Sequence, residues 1–217
     1  MIKTDFHTHS IASPDGSITS EQYKNLINSG VIDCVAVTDH NRIDFALKLQ
    51  NDLGAEKVIV GEEIETTEGE IIGLFLTEKI APYLSPEKTI EAIKAQNGIV
   101  YIPHPFETVR KGISRETLNR IKSNVDIIES ANGRAFFQNF GPESHAWSHI
   151  NRVASFASSD AHRSKALCKT YTDLAEYPNR KNILELCATA RKHYSRPSLL
   201  DILAPKLNRI RKALNLL

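Results

Sequence analysis

With 217 residues, 41% hydrophobic and 24% charged, the chain can bury one good-sized core, and its composition excludes a disordered, collagenous or disulfide-stapled protein. Lys+Arg (27) and Asp+Glu (26) nearly cancel to a net charge of +1, which argues against a strongly basic nucleic-acid-coating surface while leaving room for a local basic groove. The three cysteines, Cys34, Cys168 and Cys187, form no CxxC pair, so they suggest buried thiols in a reducing cytosol and neither a disulfide framework nor a thiolate zinc site.

The chain opens with MIKTDFHTHS, which has no apolar signal stretch, and no run approaches the ~18 apolar residues of a membrane helix; a cytoplasmic protein without a membrane partner is expected. IKTDFH (2–7) is the first predicted strand. SEQYKNLINSG (20–30) follows as a helix, with Thr19 and Gln22 spaced as a capping box and Gly30 at its end. DCVAVTD (33–39) is the second strand, and RIDFALKLQNDLG (42–54) the second helix. KVIVGEEIE (57–65) and EIIGLFL (70–76) flank TTEGE as an antiparallel hairpin. Next come a helix over 85–98, with Pro86 in its first turn, and the strand GIVYIPH (98–104). A helix over 114–124, the strand VDIIES (125–130) and the strand VASFASSD (153–160) complete the alternation. Strands such as DCVAV and KVIV are apolar on both faces, as in a parallel sheet covered by helices, so the pattern predicts a barrel or a doubly wound sheet. After residue 175 the chain reads as helical, interrupted at Pro205, and is expected to pack on the barrel without forming a separate domain.

The ionisable residues fall at the strand ends. His7 and His9 end the first strand, Asp39, His40 and Asn41 the second, and Glu62 and Glu63 the core of the third; His104, Glu129, Asp160 and His162 follow the later ones. Alternation along an extended strand predicts that Asp5, His7 and His9 share one face. In α/β barrels the C-terminal edge of the strands is where active sites are built. So many carboxylates would repel one another, and divalent cations resolve that repulsion. A nitrogen and oxygen donor set without Cys suits Zn, Mn or Fe, and the number of donors implies more than one ion.

DFHTHSIASPDG, VAVTDHN, VGEEIETTEGEIIGLFL, IPHPF, IIESANGR and ASSDAH resemble, in order, the motifs of the PHP (polymerase and histidinol phosphatase) superfamily, over residues 1 to about 174. The resemblance implies an α/β fold, a distorted (β/α)7 TIM-like barrel with extra C-terminal helices, and a single domain over 1–217. It also implies a site of two or three divalent metal ions that hydrolyses phosphate esters. The implied ligands are His7, His9, Asp15, His40, Glu63, His104, Asp160 and His162, with Glu63 bridging two ions. Ser158 replaces the family's usual Gly before SDAH. RSKALCKTYT lacks the Glu-Gly pair that often follows it, so Arg163 or Lys165 is expected to face the substrate instead.

Such a site would attack phosphorus with a metal-activated hydroxide. The leaving group then needs a proton, for which His40, His162, Asp39 or a water are the candidates. Arg134 in NGR is expected to grip the phosphate, whereas Arg110 and Lys111 read as solvated and Glu129 as orienting a ligand histidine. His145 and His149 are spaced i, i+4 but lack the Glu of HExxH, and His193 reads as exposed. KLNRIRKALNLL is basic and amphipathic and reads as packing one apolar face on the barrel. The expected partner is a small phosphorylated metabolite, a nucleotide such as a 3′,5′-bisphosphate, or a short oligonucleotide. Histidinol-phosphate or phosphotyrosine phosphatase activity is the alternative within enzymes, and a metal-stabilised interaction module the alternative outside them. Carbon–nitrogen hydrolysis is a third, but the modified lysine that bridges metals in amidohydrolases has no counterpart at these strand ends. Sequence leaves the oligomeric state open.

Overall fold

The first half of the chain forms β1 (Ile2–Thr8), α1 (Ser20–Asn28), β2 (Cys34–Val37), α2 (Asp44–Leu53), β3 (Val58–Thr66), β4 (Gly69–Leu74), α3 (Pro86–Ala95) and β5 (Ile99–Ile102), in the computed structural model, which describes residues 1–217. The second half adds α4 (Arg115–Ile121), β6 (Ile127–Asn132), α5 (Gly141–Asn151), β7 (Ala154–Ser158), β8 (Tyr171–Leu174), α6 (Ile183–Leu186), β9 (Arg191–His193) and α7 (Leu199–Ala213). Local chemistry sets the helix starts. Thr19 and Gln22 close the reciprocal capping box that their spacing predicts. Ser85 caps α3 ahead of Pro86, whose missing N–H costs nothing in the first turn.

The strands make one sheet in the order β7-β6-β5-β4-β3-β2-β1-β8-β9. β1, β2 and β3 are parallel, as are β5, β6 and β7. Between them β4 runs antiparallel to both neighbours, with Ile64 opposite Ile71 in the predicted hairpin. The sheet curls until the end of β7 returns to β1, where the His9 N–H donates to the Ala161 carbonyl at 2.9 Å. The result is a nearly closed, distorted barrel of the predicted class, with β8 and β9 appended antiparallel beside β1. Phe6, Ile59, Ile72, Tyr101, Ile127 and Phe156, from six strands, pack together inside it. Phe6 stacks on Phe156 at 4.7 Å between centroids, and truncating such a buried ring to Ala costs about 3–5 kcal/mol. A second apolar layer joins the sheet's outer residues to Tyr23, Leu49, Ile93, Leu118 and Trp147 of the helices.

The structure corrects the sequence reading in three places beyond residue 170. β8 is a strand the pattern missed, and β9 lies within a stretch read as helix. Edge pairing overrides helical propensity there: β9 pairs with β8, and the His193 ring stacks on Tyr171 at 4.5 Å. Pro205 does not interrupt α7, which runs through it with the proline buried against the barrel. Finally, α7 is inverted relative to the expected amphipathic packing. Its buried residues are Asp201, Ala204, Pro205 and Asn208, and its leucines are exposed. No helix is long and apolar enough to cross a membrane.

Candidate metal centre

Irregular backbone at the strand ends aims the polar side chains. Asp5 pairs with Val35 but Thr8 with Val37, so β1 carries one extra residue, a bulge that breaks the simple alternation. His7 and His9 therefore converge without Asp5, whose Oδ1 instead accepts from the Ser159 N–H at 3.0 Å. A matching irregularity follows Glu129 in β6. The loop carrying Asp15 folds back so tightly that a Cβ at Gly16 would sit 2.0 Å from the Ser10 carbonyl oxygen, which only glycine permits. His104 (φ 28°) and Asp160 (φ 52°) sit in the left-handed region, where non-glycine backbone is strained, and such outliers cluster at functional sites.

Glu63 stands at the middle of the cluster. Its Oε2 lies 3.3 Å from His7 Nε2, 3.2 Å from His9 Nε2 and 3.3 Å from His40 Nδ1, and its Oε1 lies 3.1 Å from His104 Nε2. Asp160 Oδ1 is 3.4 Å from His9 Nε2 and 3.3 Å from His162 Nδ1. Asp15 reaches His40 Nε2 at 3.5 Å and His162 Nε2 at 3.4 Å. Four groupings place their donor atoms within 4.8 Å of one another: His9, Asp15, His40 and His162; His7, His9 and Glu63; His7, His104 and Asp160; His40, Glu63 and Glu70. All of these side chains are buried except that of His40, which is 20% exposed.

The donor set fits divalent cations. His7 Nε2 and His9 Nε2 face each other at 3.1 Å, a contact in which at most one nitrogen can supply a proton. Buried His162 Nε2 has no hydrogen-bond partner at all. Burial opposes protonation of His9, yet Asp160 and Glu63 beside it push its pKa up to about 9. Burial, with His9 and Arg134 nearby, pushes His162 down to about 4. Against the effect of burial, His7 and His40 hold Glu63 well below the usual carboxylate range. Burial and the adjacent Glu63 charge drive Glu70 far above it. Neighbouring groups pushed in opposite directions are characteristic of functional sites.

Supporting residues fix this geometry. Glu129 takes the His7 ring at Nδ1 (3.3 Å), which turns Nε2 toward the cluster, and also accepts from the His104 N–H at 2.7 Å and Asn132 Nδ2 at 2.7 Å. Arg134 lies beside Asp160 Oδ2 at 3.2 Å and lines the cleft. Asp39 is buried and accepts from the Ser10 N–H at 2.6 Å; it does not line the cleft. Arg163 turns to Asp201 at 3.3 Å, and Lys165 lies in an exposed turn; neither lines the cleft. Arg110, expected to be solvated, is only 12% exposed and binds Asp160 Oδ2 at 2.7 Å, so the sequence reading of that residue is corrected.

Sequence reasoning missed Glu70, Arg110, Arg209 and Asn208. Glu70 sits opposite Glu65 in the hairpin register, a signal available once β3 and β4 are paired. Arg209 meets Asp15 Oδ2 at 2.8 Å, and Asn208 Nδ2 donates to the carbonyls of Asp15 (2.8 Å) and His162 (2.9 Å). Nothing local in the sequence announces those contacts. Together the elements enclose a cleft of about 840 Å³, with the acidic and imidazole cluster at its floor and Arg110, Arg134, Lys206 and Arg209 on its walls.

No family model matches the chain. It is 37% identical over 142 residues to an uncharacterized protein of Methanocaldococcus jannaschii, an alignment covering 59% of this chain and 82% of that one. Among solved structures it resembles a two-domain protein from Bacteroides vulgatus containing a predicted PHP-like metal-dependent phosphoesterase (TM-score 0.62, 19% identity, 96% of this chain and 69% of that chain). It is also similar to the lesion-specific endonuclease PfuEndoQ of Pyrococcus furiosus (TM-score 0.62, 13% identity), covering 88% of this chain and 57% of that one. An amidohydrolase from Chromobacterium violaceum shares the fold as well (TM-score 0.61, 14% identity, 87% and 97% covered), so the barrel alone does not set the reaction.

Proposed function

We propose that this chain, which shares its barrel with solved structures from Bacteroides vulgatus and Pyrococcus furiosus, is a metal-dependent phosphoesterase of the PHP superfamily. Its substrate is a small phosphorylated metabolite, a nucleotide such as a 3′,5′-bisphosphate, or a short oligonucleotide. The observation that carries the reading is the joining of two chemistries in one cleft: a nitrogen and carboxylate cluster on the floor, and two part-buried guanidinium groups, Arg110 and Arg134, on the wall. The planar forks of the paired arginines match the oxygens of a phosphate held over the cluster.

His7, His9, Asp15, His40, Glu63, His104, Asp160 and His162 would hold two or three divalent ions, Mn, Zn or Fe, with Glu63 shared between positions. Bound ions would supply Lewis-acid polarisation of phosphoryl oxygens and acidify a water for attack. Around them the protein's own groups do the positioning. Glu129 keeps His7 in one tautomer and orientation. Arg134, with Arg110 bracing the same Asp160 oxygen, presents its remaining N–H groups to a phosphate in the cleft. Of the four candidates for passing a proton to the leaving oxygen, His40 is the side chain part-exposed toward the cleft, but as an ion ligand it would be a poor donor, and a water in the cleft serves equally. His162 is engaged at Nδ1 by the Asp160 carbonyl at 2.9 Å, and Asp39 holds Ser10.

The test is phosphate release by the purified protein with added Mn²⁺. The panel comprises nucleoside monophosphates, 3′,5′-bisphosphates, short single-stranded oligonucleotides, histidinol phosphate and phosphotyrosine. Turnover of the nucleotide members that disappears in His7→Ala and Asp160→Asn supports the reading. Preferential release from histidinol phosphate or phosphotyrosine would replace the substrate class, and silence from protein that carries ions would replace the activity.

A further inference from the structure

Five cations and five carboxylates line the cleft, so its walls are close to neutral before any ion binds. Four of the cations already answer carboxylates. Arg110 and Arg134 meet Asp160 Oδ2 at 2.7 and 3.2 Å, Lys111 pairs with Glu65, and Arg209 meets Asp15 Oδ2 at 2.8 Å. Lys206 is the fifth, exposed in the cleft wall and paired with no acid.

An exposed lysine is ordinary by itself. This one is set in place by the helix that carries it. α7 docks through its polar face, with Asn208 on the Asp15 and His162 carbonyls and Asp201 on Arg163 and Lys169. That docking puts Lys206 on the cleft three residues before Arg209, so the two cations are neighbours on one helix face. Like charges at that spacing repel, and an anion between them relieves the repulsion. Arg209 has donors to share, because its side chain is 63% exposed and reaches Asp15 through one nitrogen.

Charge balance then selects the ligand. Each divalent ion at the floor adds two positive charges that neutral walls do not offset. Two ions leave about four, whereas one phosphate group brings about two at neutral pH. A second anionic group on the ligand closes the gap, and the cation left free to receive it is Lys206. The volume of about 840 Å³ lies toward the upper end for small-molecule sites and leaves room for such a ligand. On the phosphoesterase reading of this cleft, we infer that α7 supplies a second anion subsite, Lys206 with Arg209, which selects phosphate esters carrying a second phosphate.

Phosphate release with Mn²⁺ is measured for adenosine 3′,5′-bisphosphate, the two adenosine monophosphates and a 5′-phosphorylated dinucleotide. The wild type should favour a doubly phosphorylated compound over either monophosphate at least about tenfold in kcat/KM, the scale of one charged hydrogen bond. Whichever compound leads, bisphosphate or dinucleotide, names the source of the second phosphate. Lys206→Gln should cut that preference about tenfold and Lys206→Arg should keep it, whereas a merely structural role would lower all four compounds together. Calorimetric titration of the same compounds, without added Mn²⁺, reads the preference as a ratio of Kd values apart from turnover. Tighter binding of the doubly phosphorylated compounds through Lys206, with no ester hydrolysed in the Mn²⁺ assay, would remove the activity and leave the subsite. A wild type without the preference in kcat/KM, or in Kd where nothing is turned over, overturns the subsite, as does a preference untouched in Lys206→Gln.

Discussion

Replacing Glu63 by Gln probes the centre of the cluster with almost no change of shape. The carboxylate lies 3.1–3.3 Å from four imidazoles and belongs to two of the four donor groupings. The amide keeps one oxygen but loses the charge, and its NH2 meets imidazole nitrogens that need an acceptor or a cation. Charge-assisted contacts of this kind are worth about 1.5–3 kcal/mol each, or roughly 10–100-fold in ion affinity per position. Over two positions the effect compounds to about 10²–10⁴-fold. The assay is elemental analysis of protein dialysed against metal-free buffer, followed by Mn²⁺ titration of phosphate release. Glu63→Gln should retain fewer ions than wild type and need far more Mn²⁺ to recover any rate. Wild-type ion content together with wild-type rate would refute the central role of Glu63 and move the ions to the Asp15 and His162 side of the cleft.

Arg134→Lys keeps the charge but loses the fork, and phosphate release should fall about 10–100-fold at unchanged ion content, as for the loss of one charged hydrogen bond; an unaltered kcat/KM would remove Arg134 from the substrate. Glu62 takes the Ile80 N–H on Oε2 but leaves Oε1 unpartnered, and burial pushes its pKa up from 4.5 to about 7. The folded state thus binds the proton more tightly than the unfolded one, so stability should decline as pH rises from 4.5 to about 7, by up to about 3 kcal/mol. Urea melts at pH 5 and pH 8 should show Glu62→Gln flattening that decline, and identical pH profiles would refute the assignment. Asn208→Ala strips the donor from two buried carbonyls and should cost about 1–3 kcal/mol, read as a lower urea midpoint accompanied by weaker Mn²⁺ retention. A loss of stability with Mn²⁺ retention unchanged would separate α7 from the site.

The parts of the site legible in the sequence are those that depend on strand ends alone. His40 and His104 follow apolar runs that read as buried strands, His7, His9 and His162 fall at or just past the ends of other strands, and parallel strands put such ends on one edge. What was illegible depends on contacts between distant segments or on side-chain conformation. Arg110 looked like a loop arginine until Asp160 and Glu107 came to meet it. The bulge that separates Asp5 from the histidines is set by pairing with β2, which no single segment records. Pro205 and the leucines of α7 misled for a related reason. Local rules price a helix by its own hydrogen bonds and apolar face, whereas this one is held by polar anchors to the loop after β1. β9 forms because an edge of β8 was free to be paired.

The bond from Asn208 to the Asp15 carbonyl also bears on how the protein is made. It spans 193 residues of sequence, and domains emerge from the ribosome amino end first. A nascent chain that has just cleared His162 already owns every side chain of the cluster, and the loop bearing Asp15 is tied by then to the His162 carbonyl through Ser17 and to Arg42 through Ala12, yet it lacks its last anchors until α7 arrives. The last contacts to that loop therefore form late in synthesis, with the closing helix, and a chain cut short before residue 199 should fill its barrel while lacking the Asn208, Arg209 and Lys212 bonds to the loop.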